Sequence, residues 1–428
     1  MPRIRMPRIR PGVIPILLFL ALAGCELPFG LGSGSDRAPA EITELPRALS
    51  SSELMVRNAS NAFGFDLLRE IVDGDPDRSH FISPLSASMA LGMTMNGADG
   101  STFDAMRSTL RFGGLPQEEI NAAYRGLLDL LTDLDPRVTF QVANAVWHTD
   151  RLTPLRPFVE AVREGFDAQV EPIDFLDPGA PSVINRWVRQ RTRDRIDEIV
   201  PDPLMNPDEV VMYLLNAIYF NGDWTDRFDR AETRDGDFRL ADGSTVPVRF
   251  MHRTGGFRMG GTADYTVVDL PYGGKAFSMT VVVPRDPTGL IPLVREMDED
   301  RWNRLVEGLG AEHPDAHLYL PRFTLEWEAA LNRALDALGI GAAFHPREAD
   351  FSRLFGEPGP FISQVKQKTF VRVDEEGTEA AAVTSVEMRV ESAPPTIRVD
   401  LPFLFAIREG LSGTILFLGA ISEAPEDP

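Results

Sequence analysis

The sequence predicts one large mixed α+β domain behind an export leader and a tether, and three observations predict it. Gly, Ser and Pro cluster between residues 26 and about 50, and no second linker appears between about 52 and 422. Segments with helical apolar spacing are interleaved with short apolar or alternating runs that read as strands. No internal repeat divides the chain. The length of 428 residues would allow two or three domains, but only as a prior.

The leader comes first. "MPRIRMPRIRPG" carries four arginines and no acid, and "VIPILLFLALAG" follows as an apolar run too short to span a bilayer comfortably. A charged start, an apolar middle and small residues before the cut make a signal peptide over 1–24. Leu22-Ala23-Gly24-Cys25 resembles the bacterial lipobox, which implies that Cys25 is lipidated and becomes the mature N-terminus. The repeated MPRIR makes Met6 a candidate start. Cys25 is the sole cysteine, so the chain can form no internal disulfide. Residues 25–51, including "GLGSGSDRAPA", read as a flexible tether. The expected location is therefore exported and membrane-anchored, either periplasmic or at the cell surface.

The domain follows over 52–422. "LMVRNASNAFGFDLLREIV" (54–72) has helical spacing and is stopped by "DGDPDRS". Ser83-Pro84 should start a second helix, with Ser as cap and Pro in the first turn. That helix is apolar on the face of Ala87, Met89, Ala90, Met93 and Met95, so it should be central. Residues 140–149 and 209–224 read as strands, the second apolar almost throughout and so covered on both faces. Between them, 181–200 reads as an amphipathic helix with an arginine-rich, solvated outer side. Strand-like runs follow at 238–251, 263–285 and 316–327, then a helix at 329–344 ended by Gly339. A strand at 361–377 leads into the segment discussed below. Two strands, 396–409 and 413–422, close the domain, and 423–428 should be a disordered tail.

The acidic balance, 64 Asp+Glu against 43 Lys+Arg for a net charge of −21, argues against a nucleic-acid partner. No catalytic motif emerges. Asp73, Asp75 and Asp77 have the spacing that begins a calcium loop, but Arg78 and Pro84 stand where that loop needs Gly and Glu. Of the histidines at 80, 148, 252, 313, 317 and 345, only His313 and His317 are four apart, and Pro314 argues against a zinc-binding helix there. Neither G-x-S-x-G nor H-E-x-x-H occurs. Gly30-Leu31-Gly32-Ser33-Gly34 lies in the tether, with no strand before it and no helix after. No metal, cofactor or catalytic residue is expected, and the chain is not expected to be an enzyme.

The most unusual stretch is "DEEGTEAAAVTSVEMRVESAPP", 374–395. From Thr378 it alternates: Thr378, Ala380, Ala382, Thr384, Val386, Met388 and Val390 are small or apolar. Most of the residues between them are polar or charged. A period of two marks a strand with one buried face, yet the run starts on Gly377 and ends in Ser-Ala-Pro-Pro, as a loop does.

"FISPLSASMALGMTMNGA", "LLNAIYFNGDW", "VDLPYGG", "HLYLPRF", "VDEEGTEAAA" and "DLPFLFAI" occur in this order, and together they resemble the serpins over about 54–421. The resemblance implies three β-sheets, about nine helices and an exposed reactive-centre loop. It also implies an inhibitor of an extracytoplasmic serine or cysteine protease. The protease cuts the loop, the loop enters the main sheet as a new strand, and the enzyme stays trapped as an acyl-enzyme. Thr378–Val390, thirteen residues, would carry it roughly 40 Å at about 3.3 Å each. The hinge would be Glu375, Glu376, Gly377, Thr378, Glu379, Ala380, Ala381 and Ala382. Gly377 gives backbone freedom, and the alanines order at little entropic cost. The family's usual loop length puts the cut at Glu391–Ser392, with Arg389–Val390 and Val390–Glu391 as alternatives.

Other positions carry over singly. Ser83, Ser86 and Asn216 match the polar group beneath the main sheet where strands part. Gln367 stands in place of the usual histidine, which removes a titrating group, and Ser79 in place of Asn. Trp224 matches the tryptophan at the top of the sheet, and Arg322 with Glu375 a basic–acidic pair there. Leu401 replaces a residue that is usually polar. Partners would be a target protease and, through lipid, a membrane, with the chain a monomer. The rival readings are a non-inhibitory serpin serving as a binding or scaffold lipoprotein, and an unrelated hydrolase.

Overall fold

The computed structural model describes residues 40–204, 206–208, 210–357, 359–377 and 394–428. The expected leader, Cys25, most of the tether and 378–393 lie outside these. In order, the helices are α1 (Ser51–Gly74), α2 (Pro84–Met95), α3 (Gly100–Thr109), α4 (Gln117–Leu131), α5 (Arg156–Phe166), α6 (Ala180–Arg191), α7 (Leu290–Glu296), α8 (Glu299–Glu307), α9 (Asn332–Leu335) and α10 (Ser352–Phe355). The strands are β1 (His80–Ile82), β2 (Val138–Thr149), β3 (Gln169–Ile173), β4 (Met212–Gly222), β5 (Arg234–Arg239), β6 (Thr245–Gly261) and β7 (Tyr265–Tyr272). They continue with β8 (Phe277–Pro284), β9 (Glu312–Pro321), β10 (Phe323–Ala330), β11 (Lys366–Val373), β12 (Thr396–Arg398), β13 (Phe403–Glu409) and β14 (Ile415–Ile421). The described helices number ten, two of them being single turns of four residues.

The strands form three sheets. The largest runs β1-β14-β13-β8-β7-β6-β9-β12, with β5 added to β6. Its centre is covered on both faces: every residue of β8, β13 and β14 is buried. Phe81 stacks on Phe405 and Phe417, with centroids at 5.5 and 5.1 Å. β2, β3 and β4 form the second sheet, and β10 with β11 the third. A gap separates these two: among the described residues no ladder joins β4 to β11, although the two line one cleft.

α2 behaves as its composition requires. Ser83 caps it by accepting from Ser86 N at 3.3 Å, and eleven of its twelve residues are buried. It packs against α1, β4 and β14, which places its N-terminus under the cleft.

Three boundaries differ from expectation. The folded part begins before residue 52: Ile42 N donates to Gly274 O at 2.7 Å, Arg47 pairs with Glu53 at 2.6 Å, and Ser50 with Glu53 closes a capping box on α1. Residues 40–50 are therefore docked, not tether. The tail is docked too. Thr324 N on the edge strand β10 donates to Glu426 O at 2.9 Å, and Ser79 Oγ accepts from Ser422 N and Glu423 N, both at 3.1 Å. The open edge of β10 and the cationic Arg322, 3.5 Å from Asp427, supply partners that composition alone could not reveal. Finally, α6 stops at Arg191 instead of running to 200. Thr192 Oγ1 turns back to Val188 O at 2.9 Å and accepts from Ile196 N at 3.2 Å. Arg193 and Asp194 adopt left-handed φ of 50° and 59°, which no helix tolerates. The 329–344 helix ends at Gly339, as expected, where φ is 112°.

Candidate functional site

The cleft between β4 and β11 gathers most of the residues singled out in the sequence that are described. At its base, the N-terminus of α2 holds both strands. Ser83 N donates to Gln367 Oε1 at 3.0 Å and Gln367 Nε2 donates back to Ser83 O at 3.0 Å. On the other side, Ser86 Oγ donates to Asn216 Oδ1. Asn216 Nδ2 donates to Asn144 Oδ1 at 2.6 Å, and Asn144 Nδ2 to Phe166 O at 2.6 Å. Gln367 thus fills both its donor and acceptor roles, which one uncharged amide can do. Parting β4 from β11 must strain this buried chain, where a lost bond is not replaced by water. Asn144 was missed in the sequence; a lone Asn amid the apolar "AVWH" side of β2 was the available signal.

At the top the chain beyond β11 crosses to the chain beyond β4. Asp223 and Gly377 form a bridge, and Trp224 N donates to Glu376 O at 3.1 Å. The Trp224 indole donates to Asp374 O at 2.9 Å and stacks on Tyr272 with centroids 4.4 Å apart. Phe228 N donates to Glu375 O at 2.9 Å. Gly377 has φ of 109°, and a Cβ there would collide with Trp224 N and Gly222 O. Close approach, besides freedom, therefore requires glycine. Burial pushes the Asp223 carboxyl above its ordinary value even though Arg227 pairs with it at 2.8 Å.

The acids of the hinge are held individually. Glu375 is 2% exposed; Thr233 Oγ1 donates to it at 2.7 Å, and Arg322 lies 3.4 Å away. Glu376 pairs with Arg230 at 2.6 Å. The expected Arg322–Glu375 pair is present, while Thr233, Arg230, Phe228 and Asp374 were not anticipated. Their roles depend on which strands meet, and no local pattern carries that. Thr378, Glu379, Ala380, Ala381, Ala382, Arg389, Val390, Glu391 and Ser392 lie outside the described residues.

Midway, the segment after α6 lies over the cleft, which is lined there by Thr192, Arg195, Ile218, Phe220, Val371 and their neighbours. The Arg193 guanidinium sits 5.3 Å from the ring of Tyr219 on β4, and that of Arg195 5.6 Å from Phe370 on β11. One short strap thus grips each edge. Among the described residues no group of three or more His, Cys, Asp or Glu is placed to hold a metal.

Residues 58–424 match the family model described as Serpin (serine protease inhibitor). The chain is 31% identical over 374 residues to the leukocyte elastase inhibitor A of Mus musculus, covering 85% of this chain and 98% of that one. Among solved structures, native protease nexin-1 with heparin aligns with a TM-score of 0.78 at 29% identity, over 87% of this chain and all of that chain. Thyroxine-binding globulin in complex with thyroxine aligns with a TM-score of 0.78 at 27% identity, over 86% and 99%.

Proposed function

This chain belongs to the serpin family, and we propose that it is a suicide substrate for an extracytoplasmic serine or cysteine protease. The observation that carries the reading is the open cleft. Among the described residues no ladder joins the facing edges of β4 and β11, and the chain beyond β11 runs past Gly377 directly into thirteen residues patterned as a strand. On cutting at Glu391–Ser392, Thr378 to Val390 enter that cleft. Thr378, Ala380, Ala382, Thr384, Val386 and Met388 then face inward, and the acyl-linked protease is carried with them. The strap and the hinge bonds hold the intact protein in its open state. Cys25 is the lipid anchor, and the inhibitor acts as a monomer on a membrane outside the cytoplasm.

The test is a melt before and after the loop is cut. A protease that cleaves anywhere in 378–393 is added, inactivated, and the unfolding midpoint compared with that of intact protein. Insertion adds a central strand and predicts a large rise. An unchanged midpoint overturns the reading in favour of a binding or scaffold serpin.

A further inference from the structure

The large sheet holds a histidine pair that the cleft does not use. His252 on β6 and His317 on β9 face each other on one side of the large sheet, with His252 Nε2 3.1 Å from His317 Nδ1. Their ring planes are 11° apart and their centroids 5.4 Å apart. That separation is the nitrogen–nitrogen distance plus about two ring radii, so the rings meet edge to edge along a shared N–H···N line. Such a line holds one proton between two nitrogens. The outer nitrogen of His252, Nδ1, lies 3.7 Å from Glu232, which favours a proton there and leaves Nε2 to accept from His317 Nδ1–H. Thr254 Oγ1, 3.0 Å from His317 Nδ1, then accepts from the same N–H. One further proton on His252 Nε2 is met by His317 shifting its own proton to Nε2 and accepting at Nδ1; only when both rings are charged do two donors face each other.

The pair sits where it matters for the segment beyond the cleft. His317 is in register with Thr396 of β12, and its N donates to Pro395 O at 2.9 Å, the first ladder bond after 378–393. β12 is only three residues long. On the same face its Arg398 guanidinium lies 4.6 Å from the ring of Tyr319, against which His252 also stacks at 4.5 Å. Protonated, His252 would place a second cation on that ring. The charged groups around the pair are Glu232 on the turn before β5, Arg234 on β5, Arg398 on β12 and Asp400 beyond it, the last 3.2 Å from Arg398. Among the described residues, only the half-exposed Glu232 offsets a new charge on His252 directly. Burial and the neighbouring His317 already hold the His252 imidazole below its ordinary value, with Arg234 adding to this and Glu232 opposing it.

We propose that the His252–His317 pair is an acid-sensitive fastener for β12: with one shared proton it clamps β9, the strand beside β12, to β6, and protonation of both rings loosens β12. This is a property of the fold, independent of whether the protein inhibits a protease, and its test uses no protease partner.

The full chain is compared by hydrogen exchange at about pH 7.5 and about pH 5, with rates corrected for the intrinsic pH dependence. The reporters are the amide of Val399, which donates to Tyr319 O at 2.9 Å, and peptides across 394–400, with β13 and β14 as internal controls. The expected result is a fall in protection of about fivefold at the acid pH, confined to β12, the loss of one net hydrogen bond. His252→Gln and, separately, His317→Gln keep an uncharged hydrogen-bonding group and should each abolish the pH dependence. Equal protection of the wild type at both pH values overturns the proposal. So does an undiminished acid loss in either glutamine variant that retains protection of β13 and β14.

Discussion

Replacing Glu375 by Ala removes the most enclosed charge of the hinge. Its carboxylate takes a 2.7 Å bond from Thr233 and faces Arg322 at 3.4 Å, while its backbone bond to Phe228 is untouched. Truncating one partner of a fully buried ion pair costs about 3–5 kcal/mol. Arg322, 15% exposed, keeps Asp427 at 3.5 Å, so the loss is nearer that of one hydrogen bond to a charged group, about 2 kcal/mol. These contacts belong to the hinge before it swings. If they are lost before the barrier to spontaneous insertion, the variant converts to the inserted, inert form up to about thirtyfold faster. The assay is incubation at physiological temperature. Aliquots are challenged with a protease that cuts 378–393, and the resistant fraction is followed over time. A conversion rate within twofold of wild type would refute the restraint.

Other outcomes follow from the same contacts. Arg193→Ala with Arg195→Ala removes both grips of the strap; at about 0.5–1 kcal/mol each, a synthetic peptide copying 378–390 should enter the cleft about tenfold faster, read by native gel shift. Gly377→Ala, a side chain forced into a positive φ and a backbone collision, should lower the thermal midpoint by several degrees and disturb the Trp224 fluorescence. His80 is buried between Trp327, whose indole donates to its Nδ1 at 3.2 Å, and Asp75 O, 2.7 Å from Nε2, and burial holds its imidazole below the ordinary value. Its contribution is therefore intact above about pH 6.5 and is lost as pH falls toward the lower folded value, so His80→Gln should flatten the acid limb of the stability curve. Arg408, paired with Asp269 at 3.0 Å and almost wholly buried, should cost about 3–5 kcal/mol on replacement by Ala, measured by denaturant unfolding.

Much of this architecture was legible from the chain. α1, α2 and β4 declare themselves because their apolar spacing or length leaves one packing solution, and the Ser83 cap is a local signal. The polar base of the cleft was reached through motif resemblance, since Ser83 and Gln367 are 284 residues apart and no pattern links them. What escaped was set by tertiary contact. The end of α6 depends on the strap's crossing of the cleft, for its composition would support a longer helix. The docked tail depends on Ser79, Arg322 and the edge of β10. Thr233 and Arg230 look like ordinary surface residues until the chain after β11 is folded onto them. The histidine pair was equally hidden, because its members lie 65 residues apart on strands whose register sequence alone does not fix.

The most direct measurement is a set of incubations of the protein with Glu-specific, elastase-like, trypsin-like and subtilisin-like serine proteases, run on denaturing gels with mass spectrometry of released peptides. Trapping by insertion predicts a complex that survives denaturation with at least one of them, together with a freed fragment beginning at Ser392. A fragment beginning at Val390 or Glu391 would keep the mechanism and move the bond. Complete cleavage by every enzyme, with each protease left fully active and no complex formed, would contradict the account.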